Sequence, residues 1–235
     1  NSANANDVIT IDSRTYSENL IWPNTNGITL MGSAASVDTV IDGSLVGTVI
    51  TIDQAVSASI VSVGIQNGLS NAADMGGGGI YLGSAVTFLG LNSVFVSSNV
   101  AIQNGGGMYI SGSTPVWLQD CVFMTNTANF GGAICGSSNV YAENTIFWSN
   151  MANRGGAIYL LGPDITNASN PLTLNFTTVS ENYAGRHGAG VFSGAPVYIS
   201  NSLFVGNVVT NNGNGGGLTI SANFTMVDVT FDSNV

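Results

Sequence analysis

Side chains able to move protons are scarce in this chain. Its cations are three arginines, Arg14, Arg154 and Arg186, and one histidine, His187; there is no lysine. Taking a proton from carbon needs a base, so these four are the candidates for that chemistry. Arg154 and His187 each precede a glycine run, in RGGAIYL (154–160) and HGAGVF (187–192). Their equivalent placement predicts that they stack; the competing reading is two polar residues on an exposed loop. Hydrolysis by paired acids needs two carboxylates about 5 to 9 Å apart. Asp120 and Asp228 share one repeat position, and Asp38 and Asp42 are close in sequence, yet no pair stands out as catalytic. Cys121 and Cys135 are too few and too widely spaced for a zinc motif. A phosphate-cradling loop needs Gly-Lys-Ser/Thr, which a chain without lysine cannot supply. The residues therefore predict no enzyme, no metal site and no cofactor.

The charge balance narrows the partners. Charged residues make up 7% of the 235-residue chain, and thirteen acids against three arginines give a formal net charge of −10. Three arginines cannot neutralise a nucleic-acid backbone, and an anionic membrane surface is disfavoured for the same reason. No run of 18 apolar residues is present, so no membrane-spanning helix is expected. At 44% hydrophobic the chain is expected to fold. Three N-x-S/T sequons occur, at Asn167, Asn175 and Asn223.

What would position these residues is a repeat. GGGGIYL (76–82) returns as GGGMYI (105–110), GGAIC (131–135), GGAIYL (155–160), GAGVFS (188–193) and GGGLTI (215–220). The apolar residue after the glycines falls at Ile80, Met108, Ile134, Ile158, Val191 and Leu218. Self-similarity at this period means a solenoid. A second motif runs in phase: FMTN (123–126), FWSN (147–150), VSEN (179–182), FVGN (204–207) and FDSN (231–234). FVSSN (95–99) reads as the same motif with one extra residue, and VGIQN (63–67) as a degenerate form. A weaker polar register sits three residues before each Phe, at Asn92, Asp120, Asn144, Asn201 and Asp228, with Phe176 in that place in one repeat.

The segments between turns are short, alternating and rich in Val, Ile, Thr, Phe and Tyr, so they predict strands. The fold class is all-β, a right-handed parallel β-helix of about 8–9 coils of roughly 24–33 residues. One domain spans 1–235: a polar arm at 1–7, variant first coils at 8–68, and the glycine and FxxN repeats at 69–235. Glycines at one corner allow a tight turn and close approach of neighbouring backbone. Asn67, Asn99, Asn126, Asn150, Asn182, Asn207 and Asn234 are expected to form an asparagine ladder. Asp120 and Asp228 fall four coils apart, about 19 Å at the strand spacing, too far to cooperate. Side-chain alternation turns Tyr81, Tyr109, Cys135, Tyr159, Phe192 and Thr219 outward, a face able to stack on sugars or on another protein. The competing reading is stacking that stiffens the wall. Cys121 reads as inward and Cys135 as outward, so no disulfide is expected between them.

The paired GG[A/G]I and FxxN motifs resemble the repeats of chlamydial polymorphic outer-membrane proteins and of secreted bacterial β-helix repeat proteins. The opening TYSENLIWPNTNGITLMGS followed by TVIDG is similar to the first coils of pectin-lyase-like folds. That resemblance implies a β-helix and a structural role for TVIDG. It leaves function open, because this fold hosts lyases, hydrolases, adhesins and structural proteins. Lyases of this fold need a basic residue, often beside acids holding calcium.

The first reading is a non-enzymatic extracellular or cell-surface structural protein that associates with itself head to tail. No cap is evident before Val8, and FDSNV closes the chain in repeat phase, so both ends are expected to be open. The arm 1–7 would lie across the junction, unless the caps belong to a longer chain. The alternative is an adhesin or glycan-binding module using the Tyr81, Tyr109, Tyr159 and Phe192 face; a polysaccharide lyase or hydrolase ranks third.

Overall fold

A computed structural model describes residues 3–71, 76–161 and 170–235. Every paired strand runs parallel to its neighbour, and the chain winds as a solenoid. One coil shows the plan: strand Ile80–Leu82, strand Phe88–Asn92, strand Phe95–Ser97, the short strand Val100–Ala101, then a glycine corner leading to Met108–Ile110. The Ile80–Leu82 position repeats as an eight-stranded sheet, one strand per coil, from Leu20–Ile21 to Leu218–Ile220. Strands equivalent to Phe88–Asn92 form what we call the first sheet, and those equivalent to Phe95–Ser97 the second. The two merge because Val197–Val205 and Phe224–Asp232 run unbroken through the corner between them.

The glycine register is the coil register. Ile80, Met108, Ile134, Ile158, Val191 and Leu218 are successive Cα partners. At the corner, Gly105 holds φ +59°, a left-handed conformation that favours glycine. Next to it, a Cβ on Gly106 would stand 2.5 Å from the Gly132 carbonyl oxygen of the following coil. Backbone therefore approaches backbone where the motif has its glycines.

Alternation fills the interior. Leu89 and Leu91 point in, as do Ile80, Leu82 and Val96, and one apolar cluster runs the length of the solenoid. Phe123 and Phe147 stack with ring centroids 5.4 Å apart, as do Phe204 and Phe231 at 4.9 Å. Such offset stacking of like residues in successive coils adds to the area they bury.

Two bends recur, each with a left-handed residue. Ser93, Asp120, Asn144, Phe176, Asn201 and Asp228 occupy the first, at φ between +47° and +54°. Asn and Asp accept this conformation readily, and Phe176 adopts it without that help. The polar register belongs to Ser93 rather than Asn92. Phe95 pairs with Gly64 and Val122, so Val96 occupies the place of Phe123 and FVSSN carries no extra residue.

The same shift corrects the ladder. Asn99, Asn126, Asn150, Asn182 and Asn207 are fully buried. Each side-chain amide donates to the Oδ1 of the next, at 2.8 to 3.0 Å, ending at Asn234. Each Nδ2 from Asn99 onward also donates to a carbonyl of the preceding coil, as Asn126 does to Val96. Asn67 is outside this column. Gly68 takes the ladder place and donates its N–H to Asn99 Oδ1, while Asn67 sits at the left-handed bend and donates to Asp42.

The arm is also corrected. Ala3 packs against the core, and Asn6 donates its N–H to the Asn26 carbonyl, so this segment folds onto its own first coil. Among the described residues no helix is long and apolar enough to cross a membrane.

Candidate functional site

The expected aromatic column exists in register: Tyr81, Tyr109, Cys135, Tyr159, Phe192 and Thr219 are successive partners. It is only partly open: Tyr81, Tyr109 and Phe192 are half-buried. Phe130 from the preceding loop lies 5.1 Å from Tyr159 and leaves it 7% exposed, and Tyr159 stacks on Phe192 at 5.0 Å. Cys135 belongs to this column yet is buried as well. Burial pushes its thiol up to about 12 and that of the inward Cys121 up to about 11, and both are free.

Arg154 and His187 are Cα partners in neighbouring coils. His187 accepts the Asn214 N–H on Nδ1, which fixes its ring without supplying an acid partner. Arg14 lies over the Tyr16 ring at 4.4 Å, and Arg186 is exposed. Among the described residues, none of these four forms an ion pair with a carboxylate. Asp42 is held by its neighbours instead. Burial works against its charge, but hydrogen bonds from Gln66, Ser44 and Asn67 prevail and keep the carboxyl below its usual range. Sequon Asn167 lies outside the described residues; Asn175 accepts hydrogen bonds from Ser200 and Asn201 on the first sheet.

A different face carries the open aromatics. Six residues before Phe123, Phe147 and Phe204 stand Trp117, Tyr141 and Tyr198, all pointing out from the first sheet. Trp117 has Gly90 as its partner on one side and Tyr141 on the other. Phe88 and Trp117 have ring centroids 6.4 Å apart, and Trp117 and Tyr141 5.3 Å. Trp117 remains 57% exposed. Because Gly90 brings no side chain, a groove of about 510 Å³ opens beside the indole, with Ser59, Asn92, Gln119 and Glu143 among its walls.

A polar row runs alongside, two residues further along each strand. Asn92, Gln119, Glu143 and Asn175 are successive partners. Asn92 Nδ2 donates to Gln119 Oε1 at 3.4 Å, and Tyr141 Oη donates to Glu143 Oε2 at 3.0 Å. Burial first, then that bond and the carboxylate's charge, raise the Tyr141 pKa, so it stays a donor at neutral pH. At the rim, Asp120 donates its N–H to the Glu143 carbonyl, which puts two acidic residues one coil apart. Comparing only equivalent repeat positions hides that neighbour, because the two are one residue out of register. The aromatic at a spacing of six before Phe123, Phe147 and Phe204 is the sequence signal for this row.

This face belongs to a fold that other proteins share. The family described as "Right handed beta helix region" matches residues 48–235. The chain belongs to the right-handed β-helix family. Solved β-helix structures resemble it along its whole length. Pectin methylesterase PemA from Erwinia chrysanthemi aligns with 12% identity and a TM-score of 0.62, over 100% of this chain and 83% of that one. A pectin methylesterase in complex with a hexasaccharide aligns equally, at 12% and 0.62 over the same shares. No curated protein matches the chain. At this identity the likeness shows the β-helix fold alone. It nevertheless overturns the expectation of a protein without enzymatic activity: the solved chains named here, which align over the whole of this chain, are pectin methylesterases.

Proposed function

We propose that the outward face of the first sheet binds a polysaccharide at a secreted or cell-surface location. One observation carries this reading: Trp117 stands open between Phe88 and Tyr141, beside the space that Gly90 leaves. An indole left in water is unusual unless something covers it. Sugar rings present apolar C–H faces to such a platform and hydroxyls at their edges. The row Asn92, Gln119 and Glu143 supplies partners for those hydroxyls at the spacing of neighbouring strands, two residues along each strand from the aromatic row. A protein partner would find the aromatics but would leave this polar row to be matched group by group. The test is affinity electrophoresis through gels containing soluble glycans, with Trp117→Ala beside the native chain. Retardation that the substitution abolishes supports the reading; retardation by no glycan refutes it. Asp120 and Glu143 at the rim make assay of each retained glycan for cleavage part of the same experiment.

A second reading, head-to-tail association of copies, is favoured by one feature. The parallel pairing that joins each coil to the next would continue from a coil of one copy to a coil of another. Sedimentation at micromolar concentration tests it: chains of increasing length support self-association, and a single monomeric boundary refutes it.

A further inference from the structure

We infer that the groove takes a neutral polysaccharide and rejects polyuronates. This rests on the reading of the groove as a glycan site and adds the class of glycan. Among the described residues, Glu143 is the one carboxylate lining it, and no cation lines it. The four possible cations all lie elsewhere. Arg14 covers Tyr16 in the first coil, Arg154 and His187 are partnered on the strand leading to the glycine corner, and Arg186 is beside them on that strand. A uronate laid along the platform would bring a carboxylate to Glu143 with no counter-charge in reach. Like charges at such a separation repel strongly where water is partly excluded. The net charge of −10 adds a longer-range repulsion of any polyanion.

The hydrogen-bonding inventory points the same way. An ionised carboxylate only accepts, and Glu143 already takes one proton donor, the Tyr141 hydroxyl. Its other lone pairs need O–H or N–H donors. Sugar hydroxyls supply them; a uronate carboxylate does not. The amides of Asn92 and Gln119 both donate and accept, which matches hydroxyls that do the same. The direction of the row matters too. Trp117 and Tyr141 belong to adjacent coils, so a chain lying across both rings runs along the solenoid axis and meets Gln119 and then Glu143 in turn.

The test is titration calorimetry on the purified chain with hydroxyethylcellulose and galactomannan as neutral probes, and polygalacturonate and alginate as uronate probes. Each is run with EDTA and with added calcium. A neutral probe is expected to bind, with affinity reduced about tenfold or more by Trp117→Ala. The uronates are expected not to bind in either condition. Glu143→Gln is expected to weaken neutral binding by about threefold to tenfold, because a charged acceptor is replaced by a neutral one, and to admit weak polygalacturonate binding. Tight, Trp117-dependent binding of a uronate, with or without calcium, would overturn the inference while leaving the groove in place. Stronger neutral binding by Glu143→Gln would also overturn it. If Trp117→Ala and Tyr141→Ala change binding to no probe, the groove reading itself falls, and this inference with it.

Discussion

Trp117 and Tyr141 are Cα partners in adjacent coils, and their rings lie 5.3 Å apart with planes inclined at 39°. The two rings make one platform rather than two separate surfaces. Tyr141 Oη also donates a hydrogen bond to Glu143, which joins the platform to the polar row. Neither ring is needed for the core, whose side of the same strands is filled by Val116, Leu118, Val140 and Ala142. The face can therefore be altered without removing what holds the solenoid together.

Asn150 sits in the middle of the ladder, with partners on both sides. Asn150→Ala leaves the Asn126 backbone N–H without its acceptor, takes one of two acceptors from Asn126 Nδ2, and leaves Asn182 Oδ1 with only the backbone N–H of residue 150; Asn126 and Asn182 are fully buried. The expected loss is about 1 to 3 kcal/mol of stability. Urea unfolding of the variant measures it. Asn67→Ala should cost less, since that residue lies outside the ladder and bonds only at its edge.

Asp42 links the first coils to pH. Its carboxyl titrates below the ordinary aspartate value of 3.8 in the folded chain. A group lowered on folding stabilises above its unfolded pKa, and that contribution is lost as pH falls through the folded value. Acid unfolding followed by circular dichroism should show a steeper loss below pH 3.8 in the native chain than in Asp42→Asn.

Both thiols should be inert in the folded protein. With pKa values near 11 for Cys121 and 12 for Cys135, almost no thiolate exists at pH 8. Ellman's reagent should label neither until denaturant is added, and then both. Rapid labelling of the folded chain would show that the two thiols are not buried.

Gly90 separates groove from fold. A Cβ there would meet the Phe88 ring at 3.2 Å, the movable end of a side chain, whereas one on Gly132 would meet the Gly156 carbonyl at 2.3 Å. Gly90→Ala should therefore lower glycan affinity with little change in stability. Gly132→Ala should cost about 1 to 3 kcal/mol, as overpacking does. Thermal unfolding and binding measured on both variants check the contrast.

Much of this architecture is legible in the residues. The glycine-to-apolar step alone gives the register from Ile80 to Leu218, because the corner needs both a left-handed residue and bare backbone. Anchoring the second motif on phenylalanine misplaced one coil. Val96 and Ile65 fill the same inward place as Phe123, so apolar size is a poorer guide there than the bend residues Ser62 and Ser93. The groove was harder to see. Outward direction follows from alternation, but openness depends on what neighbouring loops cover. Phe130 covers Tyr159, while nothing described covers Trp117. That difference is set by loop paths, which strand periodicity does not encode.

The most direct measurement is the affinity of the native chain and Trp117→Ala for a soluble neutral polysaccharide, with the thermal midpoint of each recorded alongside. The account predicts that the substitution weakens binding about tenfold or more, while the midpoint moves by no more than about 2 °C. Equal binding by the two proteins, with both folded, would contradict it.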